Sequence, residues 1–370
     1  MRPSKLTHFW SAFLFILCCA HVASSQDYTP ITFEKITPTS SFGKNIVELN
    51  KIQLRKIKAT SNSTAIRKKL TQLYKELHSY TADLIEDGSI VRYHEIDKYI
   101  QKIVTEIVTE NNIEQEIVIA ISREPSLNAY CLPNGLLVVN LGLFYFLDNS
   151  DQLAAVIAHE ISHNLLEHSL NTNKQRIEYH LSKNYKSQKR HIKNQQFGRR
   201  GMALELLRSD LYSTGRLRRK HEIEADSLGY NLIQKTHYES SEFLEALNAM
   251  ALYDTIRPHG LLNEIYPKYF NIDSLPFDST WLAYNTRNSD YTYHEVEEPF
   301  SEDSLSTHPE VRDRIDHLNH IYEPANDTNE LRIDSTFELL KNIARLEQLP
   351  AFDWSEEYGV GLYMSLFRLQ

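Results

Sequence analysis

Cysteine is nearly absent from this 370-residue chain, with Cys18, Cys19 and Cys131 the only three. Cys18 and Cys19 fall in an N-terminal segment with the marks of an export signal. A mature chain would then keep Cys131 alone, and no internal disulfide can form. The fold must stand on its core. Cys131 sits in a strand-like stretch and reads as a small buried residue rather than a nucleophile. Long apolar runs are also missing. The one extended apolar stretch, residues 9–20, is too short for a spanning helix, which needs about 20 residues. Arg2 and Lys5 precede it and Ala23-Ser24-Ser25 follow, so residues 1–25 read as a secretory signal peptide. Leu17 and Cys18 precede the two cysteines, not the small residues that lipid attachment prefers, so a lipoprotein is not expected. Export, and with it a bacterial periplasm or cell envelope, is the expected setting. No internal repeat and no second domain signature occur. One enlarged domain is the economical reading.

Charge of one sign is scarce in one place. Residues 171–220 hold 14 Lys and Arg against 3 Asp and Glu, within a chain whose net charge is −9. This basic insert is expected to be mobile or a long polar helix. A nucleic-acid role is the obvious rival for such a patch, and export together with the lack of an aromatic-interleaved binding motif argues against it. Attraction to an anionic membrane surface or to acidic substrates is the better expectation.

Two segments carry the chemistry. In His159-Glu160-Ile161-Ser162-His163 the two histidines lie one helical turn apart, so both rings can reach one ion. Leu153, Ile157, Ile161 and Leu165 repeat every four residues on the opposite side, as in a helix with its back to a core and its ligand face to a cleft. Asp151, after Asn149 and Ser150, offers capping chemistry at the helix start. Glu160 is placed to take a proton from water. A hydrolytic zinc site wants a third protein ligand. Glu222 and Asp226, again four apart, supply one ligand and one carboxylate able to orient a ligand histidine. Glu224 points elsewhere on the helical wheel and is the weaker choice.

With these motifs the chain resembles peptidase family M48, the Ste24/HtpX/Oma1-like zinc metallopeptidases, and among them the soluble periplasmic members. HExxH followed by ExxxD is the family pattern, here His159 to His163 and Glu222 to Asp226. Residues 128–140, opening Asn128-Ala129-Tyr130 and turning at Pro133-Asn134-Gly135, resemble the family's strand pair before the zinc helix. Thr307-His308-Pro309 and Arg314-Ile315 resemble its late segment. The resemblance covers roughly residues 66–320. It implies an α+β, predominantly helical gluzincin-type domain with a small β-sheet beside the HExxH helix, and metal-dependent cleavage of proteins. The absence of further membrane-length stretches departs from the family's membrane-embedded members.

The expected site is then one Zn2+ per chain on His159, His163 and Glu222, with Glu160 as the base. Asp226 would be the orienting carboxylate, and His308 and Arg314 the donors to an oxyanion. His308 also fits a fourth zinc ligand, or a solvated residue at a helix start marked by Pro309. Residues 116–121 and 136–140 read as short strands. A free strand edge beside the zinc helix, at Asn128, Ala129, Tyr130 and Gly135, would bind an extended peptide by main-chain pairing, which favours unfolded or misfolded protein substrates. A zinc-stabilised, chaperone-like binder that holds exported clients without cutting them is the alternative. Glu160 argues against it, since a pure binder has no chemical need for that carboxylate. The expected boundaries are an N-terminal extension at 26–65, a peptidase domain at 66–325 and a C-terminal helix and tail at 326–370. Residues 26–63 are expected to be extended, 66–87, 94–111, 242–253 and 330–348 helical, and the aromatic tail after 352 docked on the body. Oligomeric state is open.

Overall fold

The segment expected to be extended before residue 63 is largely a helix, α1, at Ser41–Ala59. It appears in a computed structural model that describes residues 29–255, 261–282, 311–322 and 334–369. Ser40 Oγ accepts the Gly43 N–H at 3.0 Å and caps the helix start. Ile46, Leu49, Gln53 and Ile57 recur every three or four residues and form the buried stripe. Lys56 and Lys58 in the last turn oppose the negative helix end. Glutamine within the stripe and the polar residues around it hide this period in the sequence.

All the elements below belong to the unit Phe33–Gln370. Among the described residues five strands form one mixed sheet: β1 (Glu34–Lys35), β2 (Ile90–Arg92), β3 (Val118–Ser122), β4 (Ala129–Cys131) and β5 (Leu136–Asn140). Their order is β1-β2-β3-β5-β4, with β4 at an edge. β3 and β5 run parallel, Ala120 opposite Val138, while β4 folds back antiparallel on β5. Both central strands are buried throughout, as parallel strands covered on two faces require. Ile119, Ile121, Leu137 and Val139 face one core. Val118, Ala120, Leu136 and Val138 face a second, which Ile46 and Leu49 of α1 help to close. The Pro133-Asn134-Gly135 turn belongs to the β4–β5 hairpin. Gly135 has φ +93°, and a Cβ there would lie 2.5 Å from the Glu116 carbonyl oxygen, so only glycine fits.

Helices α2 (Thr64–Glu86), α3 (His94–Glu110) and α5 (Ser150–Leu165) follow the expected pattern, and the short α4 (Gly142–Phe146) before α5 was not expected. Asn149 Oδ1 caps α5 by accepting the Gln152 N–H at 2.8 Å. Leu153, Ile157 and Ile161 are buried as expected, yet so is nearly the whole of α5. It is a central helix, its polar face covered as well as its back. The basic segment is helical: α6 (His168–Leu181), α7 (Lys183–Asn194) and the 35-residue α8 (Arg199–Ile233). None of α7 is buried, and a His180–Asp210 contact of 3.0 Å ties α6 to α8. α9 (Glu242–Thr255), α10 (Ile265–Phe270), α11 (Val311–Ile321), α12 (Ser335–Trp354) and α13 (Tyr358–Leu369) complete the order. Phe337, Leu340 and Ala344 of α12 enter the main core, and Arg368 of α13 donates to Gln348 Oε1 at 2.6 Å. No described helix is long and apolar enough to cross a membrane. The signal-peptide stretch 1–25 lies outside the described residues.

Candidate active site

Helix α8 crosses α5 closely enough for Gly229 to meet the backbone of His159. A Cβ on Gly229 would lie 3.1 Å from His159 N and 3.2 Å from its Cα. This crossing sets the ExxxD turn of α8 against the HExxH turn of α5. His159 Nε2 and His163 Nε2 face each other at 3.0 Å. Glu222 Oε2 lies 3.5 Å from His159 Nε2, and Glu222 Oε1 3.5 Å from His163 Nε2. A tetrahedral zinc with ligand bonds of about 2.0–2.1 Å has ligand–ligand edges of about 3.3–3.4 Å. The observed separations bracket that value, and the donor set is of the type zinc takes. These three residues fit the ion.

The other face of each imidazole is also occupied. His159 Nδ1 lies 2.9 Å from Asp226 Oδ1. Arg314 donates to both oxygens of that carboxylate, from Nε at 2.6 Å and Nη2 at 2.7 Å. Its Nη1 sits 3.2 Å from Glu222 Oε2. Arg314, expected as a donor to an oxyanion, is thus turned onto carboxylates. It braces the ligand cluster from behind and does not line the cleft. His159 is 3% exposed and Asp226 fully buried. Burial opposes a charge on His159, but its contacts with Asp226 and Glu222 outweigh that and lift its pKa to about 10. Burial likewise opposes the Asp226 charge, and Arg314 and His159 more than offset it, holding that carboxyl below its usual range.

Glu160, 7% exposed, has Oε1 4.0 Å from His159 Nε2. Its Oε2 accepts the backbone N–H of Cys131 at 3.3 Å. The Glu160 carboxylate is thereby held between the histidine pair and the sheet edge. The Cys131 thiol is pushed strongly up by burial and by the neighbouring Glu160, and so stays neutral.

A cavity of about 350 Å³ opens over this group, lined by Glu160, His163 and Glu222 and by Asn128, Ala129 and Tyr130 of the β4 edge. Gly135 is not among its lining residues and serves the turn. Asn128 and Tyr130 pair with Asn140 and Val138 of β5. In that alternation the backbone groups of Ala129 and Cys131 point outward along the free edge. Gln53, Lys56 and Ile57 of α1 form part of the wall. With residues 26–63 expected to be extended, no wall is expected there; the three-to-four spacing of Ile46, Leu49 and Ile57 is the one trace of it in the sequence, and Gln53 blurs it. Asn164 was also missed. Its Nδ2 donates to the Leu132 carbonyl at 2.5 Å and its Oδ1 accepts from Gln115, which ties α5 to the hairpin. His308 lies outside the described residues.

Two histidines and a carboxylate around one point, a glutamate beside them and a strand edge along the same cleft define a metallopeptidase site on an α+β, predominantly helical frame. The description Peptidase family M48 matches residues 95–322, more than half of the chain, and the chain belongs to that family. It is 30% identical over 97 residues to the mitochondrial metalloendopeptidase OMA1 of Schizosaccharomyces pombe, a match covering 26% of this chain and 28% of that protein. It is 25% identical over 207 residues to the beta-barrel assembly-enhancing protease of Escherichia coli O157:H7, covering 51% of this chain and 40% of that protein. The Escherichia coli K12 form of the same protein matches over the same lengths. The matches thus span less than half the length of these relatives. The family is metal-dependent, and its members hydrolyse peptide bonds.

Proposed function

We propose that this chain is a zinc-dependent endopeptidase of the bacterial cell envelope, acting on misfolded or unassembled exported proteins. The observation that carries the reading is the common cleft. His163 and Glu222 of the ligand triad, the carboxylate of Glu160 and the outward backbone of β4 line it, and His159 completes the triad from just behind, its Nε2 3.0 Å from that of His163. One ion per chain would be held by that triad. When bound, zinc supplies a water of near-neutral pKa and a positive centre for the scissile carbonyl. Glu160 takes a proton from the attacking water and returns it to the leaving nitrogen. Asp226, locked by Arg314, keeps the Nδ1 proton of His159 in place and so directs Nε2 to the ligand position. The β4 edge at Ala129 pairs with an extended substrate backbone, the Cys131 N–H being held by Glu160, and such pairing asks little of side-chain sequence and suits unfolded chains. That edge pairing also favours an internal segment over a chain end.

The envelope setting draws on the signal-like residues 1–25 and on the relative named for enhancing β-barrel assembly. The basic helices α6 to α8 flank the cleft's end of α5 and suit a peripheral contact with an anionic membrane surface. We place the peptidase domain at 66–325 with the basic insert at 171–220, the extension at 26–65, which lends β1 and α1 to the same sheet and core, and the C-terminal helix and tail at 326–370.

The test is cleavage of casein by the mature chain, with wild type, chelated wild type and Glu160→Gln run together and zinc content measured on each. Wild type is expected to cut, while Glu160→Gln loses at least about 100-fold in rate and retains its zinc. Zinc at one per chain with no cleavage of any unfolded protein would instead support the holding, chaperone-like alternative. No zinc on the wild type would refute the site.

A further inference from the structure

His159 and His163 are held from behind by different partners, and only that of His159 belongs to the ExxxD motif. His163 Nδ1 lies 3.0 Å from His168 Nδ1. His168 Nε2 in turn lies 3.2 Å from Glu224 Oε2. His168 is 5% exposed and opens α6 directly after Glu167, which adopts a left-handed backbone at φ 52°. A non-glycine residue in that region costs free energy, and here the turn brings His168 back under the α5 ring. His221 stacks on the far face of His168, ring centroids 4.0 Å apart and planes 7° apart. Thr172 Oγ1 lies 3.3 Å from His221 Nδ1 and steadies that second ring.

The ring nitrogens assign the protons. A His163 that ligates through Nε2 must carry its hydrogen on Nδ1, and that N–H, turned toward the buried His168, needs an acceptor. His168 Nδ1 is the acceptor in reach, so His168 carries its own hydrogen on Nε2 and donates it to Glu224. Each link has a donor and an acceptor only in this tautomer.

We propose that His168, oriented by Glu224 and clamped by His221, is the positioning residue for the zinc ligand His163, as Asp226 is for His159. This inference rests on the zinc reading of His159, His163 and Glu222. His168, His221 and Glu224 also bring three ligand-type atoms within 4.8 Å of one another, as a second metal site would. The stacking opposes that use. A lone pair bonds in the plane of its ring, and an ion in the plane of one stacked ring lies well out of the plane of the other.

The test is zinc affinity of the full mature chain by competition with a chromogenic chelator, together with the visible spectrum of the cobalt-loaded protein. Asparagine places its Oδ1 near the position of a histidine Nδ1, whereas phenylalanine keeps the ring and its packing without an acceptor. His168→Phe is expected to lose about 10–100-fold in zinc affinity with an altered cobalt spectrum. His168→Asn should recover most of that loss, and Glu224→Gln should fall between wild type and His168→Phe. If His168→Phe does not fold, the comparison is His168→Asn against His168→Ala, with Asn expected to bind tighter. A phenylalanine or alanine variant that binds zinc as well as His168→Asn would overturn the proposal, because packing alone would then suffice. So would two zinc ions per chain with one lost in His221→Ala. A wild type that binds no zinc removes the zinc reading and this inference together; a wild type that binds one zinc with all variants equal removes only the inference.

Discussion

Gly229 shows how much one missing atom decides. Helix interiors disfavour glycine by about 1 kcal/mol relative to alanine, so Gly229→Ala would ordinarily stabilise α8. At this crossing the added methyl would meet Phe243 Cε2 at 3.0 Å and the His159 backbone at 3.1–3.2 Å. Forcing a methyl into packed surroundings costs about 1–3 kcal/mol, and here one neighbour is main chain that cannot rotate away. The methyl pushes α8 from α5 just where Glu222 and Asp226 address His159. Gly229→Ala is therefore expected to weaken zinc binding about tenfold or more while thermal stability changes little or falls. Equal zinc affinity with a raised melting temperature would show that the crossing relaxes freely. Residue identities at this scale were readable for His159, Glu160, His163 and Glu222, whose chemistry and spacing are local. Those of Gly229, His168 and Asn164 were not, since each acts on a residue reached only through the fold.

At the scale of elements, the start of α5 carries a local conflict. A carboxylate near a helix N-terminus is normally favourable, and Asp151 occupies such a place. It is buried, however, and Glu242 and Glu239 stand close, so its pKa rises to about 6, burial being the larger cause and His237 a partial offset. Asn149 and Gln152 both donate to Glu242 Oε2 at 2.9 Å and keep that charge in position. With a folded pKa above the unfolded value near 3.9, the native state holds the extra proton between about pH 4 and 6. Stability from this group is thus present at low pH and lost as pH rises through about 6. Asp151→Asn, which can donate to either glutamate, is expected to be more stable than wild type by about 1–3 kcal/mol at pH 7.5. The gap should close below about pH 4. Denaturant melts at pH 4 and 7.5 check this, and an Asn variant less stable at pH 7.5 would contradict it. The apolar stripe of α5 was legible as a pattern; the cap, expected from Asp151, is made by Asn149 two residues earlier. The acidic neighbours come from α9 and the turn before it, some 90 residues on, and no pattern at Asp151 announces them.

For the whole molecule, the ligand cluster is a stability element as well as a site. Glu222, Asp226, Arg314 and His159 are buried together, and they join α5, α8 and α11, which are far apart along the chain. A ligand that binds only the folded state adds RT ln(1 + [L]/Kd), about 4.1 kcal/mol at a free concentration 1,000 times Kd. Stripping zinc with a chelator is expected to lower the melting temperature on the order of 5–10 °C. Glu222→Gln should show a much smaller zinc-dependent shift. Calorimetry with and without zinc decides it: an identical melting temperature in both states would mean that the ion, if bound, contributes nothing to the fold.

The sequence by itself determined which histidines and carboxylates could gather at one point, the helical frame around them and the presence of a strand hairpin before α5. Each of these is written in short-range spacing, where the 3.6-residue helical period or a turn motif links residues a few positions apart. Tertiary structure alone decided that β3 and β5 pair in parallel, that α1 walls the cleft and that Arg314 faces carboxylates rather than substrate. It also decided that the two histidines meet different neighbours at Nδ1, Asp226 for His159 and His168 for His163. Those outcomes depend on which buried polar atoms find each other across dozens of residues, and a buried donor or acceptor is satisfied by position in space, which no local period encodes.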